Sequence, residues 1–134
     1  MPEFITQNTI SQFDFQQVNL EIQGFCEEYA VPAKKLFAIQ LILEELVTNI
    51  IKYGGGDGKK EMIEVSLSLI GEDVRLVIRD NSGAFDPLRS ILPDVSLPAE
   101  ERNIGGLGLF LVRKKVKSLL YENKDGFNIV IATI

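Results

Sequence analysis

Residues 36–53 read Leu-Phe-Ala-Ile-Gln-Leu-Ile-Leu-Glu-Glu-Leu-Val-Thr-Asn-Ile-Ile-Lys-Tyr. Apolar side chains fall on nearly every side of a helix here: Leu36, Phe37, Ile39, Leu41, Ile42, Leu43, Leu46, Val47, Ile50 and Ile51. A helix that is apolar nearly all round belongs in a core. Into this run the chain sets Glu44, Glu45, Thr48, Asn49 and Lys52. Glu45 and Asn49 are four residues apart and Asn49 and Lys52 three, so they share one helix face, with Thr48 beside them. Polar groups on a helix committed to a core need partners. Either the stripe faces a polar ligand, or Glu45 and Lys52 are solvated and Asn49 is a satisfied core amide.

Working outward, Pro32 suits the opening of this helix, which is expected to run from about Ala33 to Lys52 and to stop at Gly54-Gly55-Gly56. Upstream, residues 4–10 alternate loosely and are expected to form a strand. Phe15, Val18, Ile22, Phe25 and Tyr29 then follow helical spacing in a helix from Ser11 or Asp14 to Tyr29. Downstream, residues 62–70 and 73–80 read as strands joined by a hairpin turn at Gly71-Glu72-Asp73. Residues 81–104 hold Gly83 and three prolines, and a connection of that length inside a domain is often a functional lid. A third helix is expected from Gly105 to about Ser118. Strands near 118–123 and 127–134, turned at Lys124-Asp125-Gly126, complete the chain. This order predicts an α/β (α+β) two-layer sandwich. It is a single domain over 1–134, with a mixed, largely antiparallel sheet carrying three helices on one face.

Two further stretches bear on chemistry. In Val74-Arg75-Leu76-Val77-Ile78-Arg79-Asp80-Asn81-Ser82-Gly83 a strand ends on an aspartate and a glycine follows three residues later. Asp80 is placed to accept a hydrogen bond from a ligand amino group, and Gly83 would let backbone approach it closely. The same residue types also favour an ordinary turn. In Ile104-Gly105-Gly106-Leu107-Gly108-Leu109-Phe110 a glycine turn runs into a helix. Free N–H groups and the helix dipole make such a start an anion site, although those glycines would equally serve tight packing. The preceding lid, and the missing Gly-Lys-Ser/Thr, separate this from a dinucleotide fingerprint and a P-loop.

Composition narrows the field. The chain has 134 residues, 46% hydrophobic and 25% charged, with a net charge of -5. These are ordinary values for a globular domain, and the acidic balance argues against a nucleic-acid partner. There is no histidine, which removes a Ser-His-Asp triad, histidine zinc ligands and autophosphorylation on histidine. Any general base must be Asp, Glu, Lys, Tyr or Cys. Cys26 is the single cysteine and reads as a buried packing residue. No apolar run reaches the roughly 18–20 residues that cross a bilayer. Met1-Pro2-Glu3-Phe4 lacks the features of a signal peptide, so no membrane and a cytoplasmic location are expected.

The three stretches taken in order resemble the GHKL (histidine-kinase-like) ATPases, and among them the bacterial anti-sigma-factor serine/threonine kinases of partner-switching systems. Glu45-Leu46-Val47-Thr48-Asn49 matches the family's Glu-x-x-x-Asn helix, Asp80 with Gly83 its Asp-x-Gly, and Gly105-Gly106-Leu107-Gly108 its glycine turn. Glu44-Glu45-Leu46-Val47-Thr48-Asn49, Phe85-Asp86-Pro87 and the run from Gly105 to Val112 look most like the anti-sigma branch. The resemblance covers almost the whole chain and implies the Bergerat ATP-binding fold, with ATP and Mg²⁺ as cofactors. It implies that Glu45 is the general base, Asn49 the Mg²⁺ ligand, and Lys52 a basic residue near the phosphates. It implies that Asp80 holds the adenine amino group, and that Gly105, Gly106 and Gly108 wrap the phosphates beneath a lid of about 84–104. Gly83, Phe85, Leu107 and Leu109 complete that set. Thr133 matches a last-strand threonine near adenine, with Ile131 as the competing register. The implied partners are an anti-anti-sigma (STAS-type) protein, a sigma factor and a second copy of the chain. The implied activity is phosphorylation of that antagonist on serine or threonine. The alternatives are a nucleotide-binding module that sequesters a regulator without kinase activity, and a histidine-kinase catalytic domain acting in trans. Three departures stand out. The glycine after Asp80 comes one position late, Tyr53 follows Lys52, and the lid is short, without a second glycine cluster.

Overall fold

The computed structural model describes residues 2–53, 61–83 and 116–134. Strand β1 (Glu3–Thr9) leads through a short 3-10 turn (Ile10–Gln12) into helix α1 (Phe15–Glu28), followed by α2 (Ala33–Tyr53), β2 (Met62–Ile70), β3 (Asp73–Asp80), β4 (Ser118–Lys124) and β5 (Phe127–Thr133). The strands lie in the order β1-β2-β3-β5-β4. Every described pairing is antiparallel, so the expected mixed sheet is, among the described residues, antiparallel throughout. The third helix expected over 105–118 falls mostly outside the described residues. It does not reach Ser118, because Val116 and Lys117 form a bend and Ser118 opens β4.

Local chemistry sets the ends of these elements. Asp14 caps α1 by accepting a hydrogen bond from the Gln17 backbone N–H at 3.2 Å, which satisfies a donor that the first helical turn leaves without a partner. At the other end Ala30 adopts φ 56° while the Val31 N–H reaches back to the Cys26 carbonyl at 2.8 Å, the bonding of a Schellman cap. The amides of Lys35 and Leu36 bond the Pro32 carbonyl, so proline stands just ahead of α2 as expected. Two-residue turns join β2 to β3 and β4 to β5. In the second, Asp125 and Gly126 both have positive φ, 55° and 81°, as a type I′ hairpin turn demands.

Alternation in the strands decides where the core sits. Ile63, Val65 and Leu67 of β2, Val74, Leu76 and Ile78 of β3, and Val130 and Ala132 of β5 are all buried. They share one sheet face because side chains alternate along a strand. Against that face pack Val18, Ile22, Phe25 and Cys26 of α1 and Ile39, Ile42, Leu43, Leu46, Val47 and Ile50 of α2. Cys26 is 1% exposed and burial pushes its thiol up, in keeping with a packing role. On the outer face the Arg79 guanidinium pairs with Glu64 at 3.1 Å and lies 4.4 Å above the Phe127 ring, which ties β2, β3 and β5 together in register.

Candidate functional site

Lys35, near the start of α2, donates to the Glu72 carbonyl in the β2–β3 turn and to the Ile134 carbonyl. This seats the start of α2 at the hairpin where β3 begins, and with Leu43, Leu46, Val47 and Ile50 still buried in the core shared with the sheet, the helix stays over the sheet as it leaves that end. Asn49 lies fourteen residues beyond Lys35 and Asp80 eight beyond Glu72. At helical and extended rises these are advances of about 21 Å and about 26 Å. The end of α2 that carries the polar stripe therefore lies at the end of the sheet that carries Asp80.

On α2 the stripe is graded in exposure. Glu45 and Asn49 are half-buried, whereas Glu44, Thr48 and Lys52 are exposed. Burial, and next the charge of Glu44, push the Glu45 carboxyl above the ordinary glutamate range, the direction that makes a carboxylate a better proton acceptor. The Asn49 side-chain nitrogen is buried and lacks a hydrogen-bond partner among the described residues. Such an orphan is costly unless something else meets it. A half-turn of the amide exchanges its nitrogen and oxygen ends, so the same position can offer a carbonyl oxygen, the donor type that Mg²⁺ takes. Asn49 thus fits a metal ligand by its chemistry.

Asp80 and Asn128 are the two fully buried polar residues among the described residues, each 1% exposed, and they bond one another. They face each other across the β3–β5 pairing. Asp80 Oδ1 accepts from Asn128 Nδ2 at 3.1 Å, from the Ser82 amide at 3.1 Å and from Ser82 Oγ at 2.5 Å. All three bonds fall on Oδ1, and Oδ2 receives none among the described residues. Asn128 Nδ2 also donates to the Gly83 carbonyl at 2.6 Å. Its Oδ1 accepts from Tyr121 Oη at 2.7 Å and Asn123 Nδ2 at 3.0 Å.

The late glycine has a local cause. Asn81 continues the strand: its amide bonds the Met62 carbonyl, and its side-chain Oδ1 accepts from the Met62 amide at 2.6 Å. Ser82 then folds back on Asp80, and Gly83 takes a left-handed φ of 109°. A side chain there would meet nothing within 4 Å, so backbone conformation and not crowding calls for glycine.

The structure does not bring Thr133 to Asp80. Thr133 pairs with Arg75, and Ile131 with Val77. Both stand an odd number of residues from Asn128 and so project from the outer face. The last-strand residue opposite Asp80 is Asn128, which the sequence reading missed. Its signal was an amide in step with core residues Val130 and Ala132, but only the β3–β5 register shows what it meets. Phe85, Gly105, Gly106, Leu107, Gly108, Leu109 and the expected lid at 84–104 lie outside the described residues. The described cleft of about 370 Å³, lined by Tyr29, Lys35, Glu72 and Asp73 among others, opens at the other end of the sheet, away from Asp80.

Residues 13–134 match the model of the histidine kinase-like ATPase domain. The chain is 30% identical to the serine/threonine-protein kinase BtrW of Bordetella bronchiseptica over 72% of its own length and 68% of that protein. It is 20% identical to the serine-protein kinase RsbW of Oceanobacillus iheyensis, over 84% and 74%. Among solved structures, the RsbU and RsbW domains of Rv1364c from Mycobacterium tuberculosis superpose with a TM-score of 0.68 at 16% identity, covering 99% of this chain and 32% of that one. The catalytic domain of the histidine kinase ThkA superposes with a TM-score of 0.50 at 17% identity, covering 98% and 96%. These likenesses support the fold. The family match spans all three motif stretches, and the chain belongs to the histidine kinase-like ATPase domain family.

Proposed function

We propose that the chain is an ATP-dependent protein serine/threonine kinase that phosphorylates an anti-anti-sigma (STAS-type) partner and thereby controls a sigma factor. The observation that carries this reading is the placement of Glu45 and Asn49 on one face of α2, at the end of the sheet where Asp80 is buried. Asp80, through Oδ2, accepts from the adenine amino group, and guanine would set a carbonyl oxygen against it. Asn49 would hold Mg²⁺ through its amide oxygen, and Lys52 would add positive charge near the phosphates. A metal held there would supply charge neutralisation at the transferring phosphoryl group. Glu45 takes the proton of the partner's hydroxyl as that oxygen bonds the γ-phosphorus and the bond to ADP breaks. Glycines 105, 106 and 108, with Gly83, Phe85, Leu107 and Leu109, complete the nucleotide site under a lid of about 84–104. Residues 1–134 then act as one kinase domain. A cytoplasmic location goes with this reading. No helix among the described residues is long and apolar enough to cross a membrane. The kinase acts as a homodimer, for which the outer sheet face offers apolar surface: Ile5, Val77, Ile131 and Leu120 lie in one row across the strands.

Calorimetric titration of ATP, ADP and GTP with and without Mg²⁺ tests the site. Adenine-selective binding is expected, lost in Asp80→Asn, with its Mg²⁺ dependence lost in Asn49→Ala. A folded protein that binds no nucleotide would sink the proposal. Radiolabelled ATP and a STAS-type protein from the same genome then test transfer, which Glu45→Ala is expected to slow by roughly 10²–10⁴-fold. Binding without transfer to any such protein would instead support a sequestering module.

A further inference from the structure

We propose that Asn128, itself held by Tyr121 and Asn123, is a positioning residue that aims the Asp80 carboxylate and so sets the choice of base; this rests on Asp80 as the adenine-binding group. The argument begins with hydrogen-bond capacity. A side-chain amide has two N–H donors and an oxygen with two acceptor sites, and in Asn128 all four are used. Both groups facing Nδ2, the Asp80 carboxylate and the Gly83 carbonyl, are acceptors and require a donor. Both groups facing Oδ1, the Tyr121 hydroxyl and the Asn123 amide nitrogen, can donate. The amide therefore has a single orientation, and reversing it would set oxygen against oxygen at two contacts.

That orientation has two effects on Asp80. Asn128 and Ser82 together saturate Oδ1, which fixes the carboxylate plane and leaves Oδ2 for a ligand. Asn128 also holds the Gly83 carbonyl, so one side chain clamps the 80–83 turn to β5. Tyr121 and Asn123 contribute from β4, the edge strand beyond β5, and reach Asp80 through Asn128. Discrimination between an amino group and a carbonyl depends on where a buried acceptor points. Loosening any member of this chain of bonds should then lower base selectivity as well as affinity.

The test is calorimetric titration of ATP and GTP into the wild-type protein, Asp80→Asn, Asn128→Asp and Tyr121→Phe, with folding checked by circular dichroism. Asn128→Asp is isosteric and keeps the acceptors toward Tyr121 and Asn123, but turns the donor facing Asp80 into an acceptor. It is expected to weaken ATP binding by roughly 10–100-fold and to narrow the ATP-to-GTP ratio. Tyr121→Phe removes the hydroxyl that holds Asn128 Oδ1 and is expected to weaken ATP several-fold and narrow the ratio in the same direction. A stability role alone would lower the melting temperature and leave the ratio unchanged. If the wild type binds ATP selectively and Asp80→Asn does not, yet Tyr121→Phe keeps the wild-type ratio, the inference is overturned whatever becomes of Asn128→Asp. If the wild type binds no nucleotide, the reading of Asp80 falls first.

Discussion

Glu44 and Glu45 are neighbours in sequence with different surroundings, Glu44 exposed and Glu45 half-buried. Desolvation, then the charge of Glu44, makes Glu45 hold its proton to higher pH than an ordinary glutamate. In its proposed role as general base Glu45 acts only when ionised, so the rate should rise with pH through this raised value and fall below it. Glu44→Gln removes the repulsion, and the acid limb of kcat/KM should move to lower pH; an unmoved limb would show that Glu44 does not act on the base. The same shift bears on folding with a defined sign. The folded state binds this proton more tightly than the unfolded chain, so Glu45 favours folding at low pH and loses that contribution as pH rises through the folded value. At this scale the sequence was informative wherever spacing alone creates the geometry. Glu45 and Asn49 share a face because a helix repeats every 3.6 residues. Asn128 was not legible, because its meaning depends on strands paired across forty-eight residues of chain.

The helix and turn ends carry tests of their own. Ala30 holds a left-handed conformation, φ 56°, in the cap where glycine is the usual residue. Ala30→Gly should stabilise the protein by about 1 kcal/mol in urea titration, and a loss of stability would contradict the cap. The opposite case is Gly126, φ 81°. Gly126→Ala should cost about 1 kcal/mol, since a Cβ is disfavoured at positive φ. Both strands of the β2–β3 hairpin, the burial of α2 and the β4–β5 turn followed from periodicity and turn chemistry. The 80–83 segment did not, because Asn81 prolongs the β2–β3 ladder through its own side chain, so the positive-φ position falls at Gly83. Hydrogen bonding by one amide, and no propensity, sets that boundary.

At the scale of the molecule, α1 and α2 bury one face of an antiparallel sheet, and the proposed site lies at the end of that layer. Leu43 and Leu46 are fully buried in it. Leu46→Ala should cost about 2–5 kcal/mol in chemical denaturation, a far larger effect than any change at the exposed Thr48. Ligand binding to the folded state alone should also register globally. ATP at a hundred times its dissociation constant should stabilise the wild type by about 2.7 kcal/mol, and an Asp80→Asn protein that fails to bind should show no such gain. The two-layer architecture was legible from the order of elements. The strand order β1-β2-β3-β5-β4 was not, because β4 and β5 are joined by a hairpin that could dock in either orientation, and only the assembled sheet places β5 against β3. The single thiol of Cys26, sealed in the same core at 1% exposure, gives the molecule a native clock. A thiol reagent in solution has no other sulfhydryl to consume, so colour develops only as the core around Cys26 opens, and at reagent concentrations where the rate no longer rises it reads out how often that layer parts.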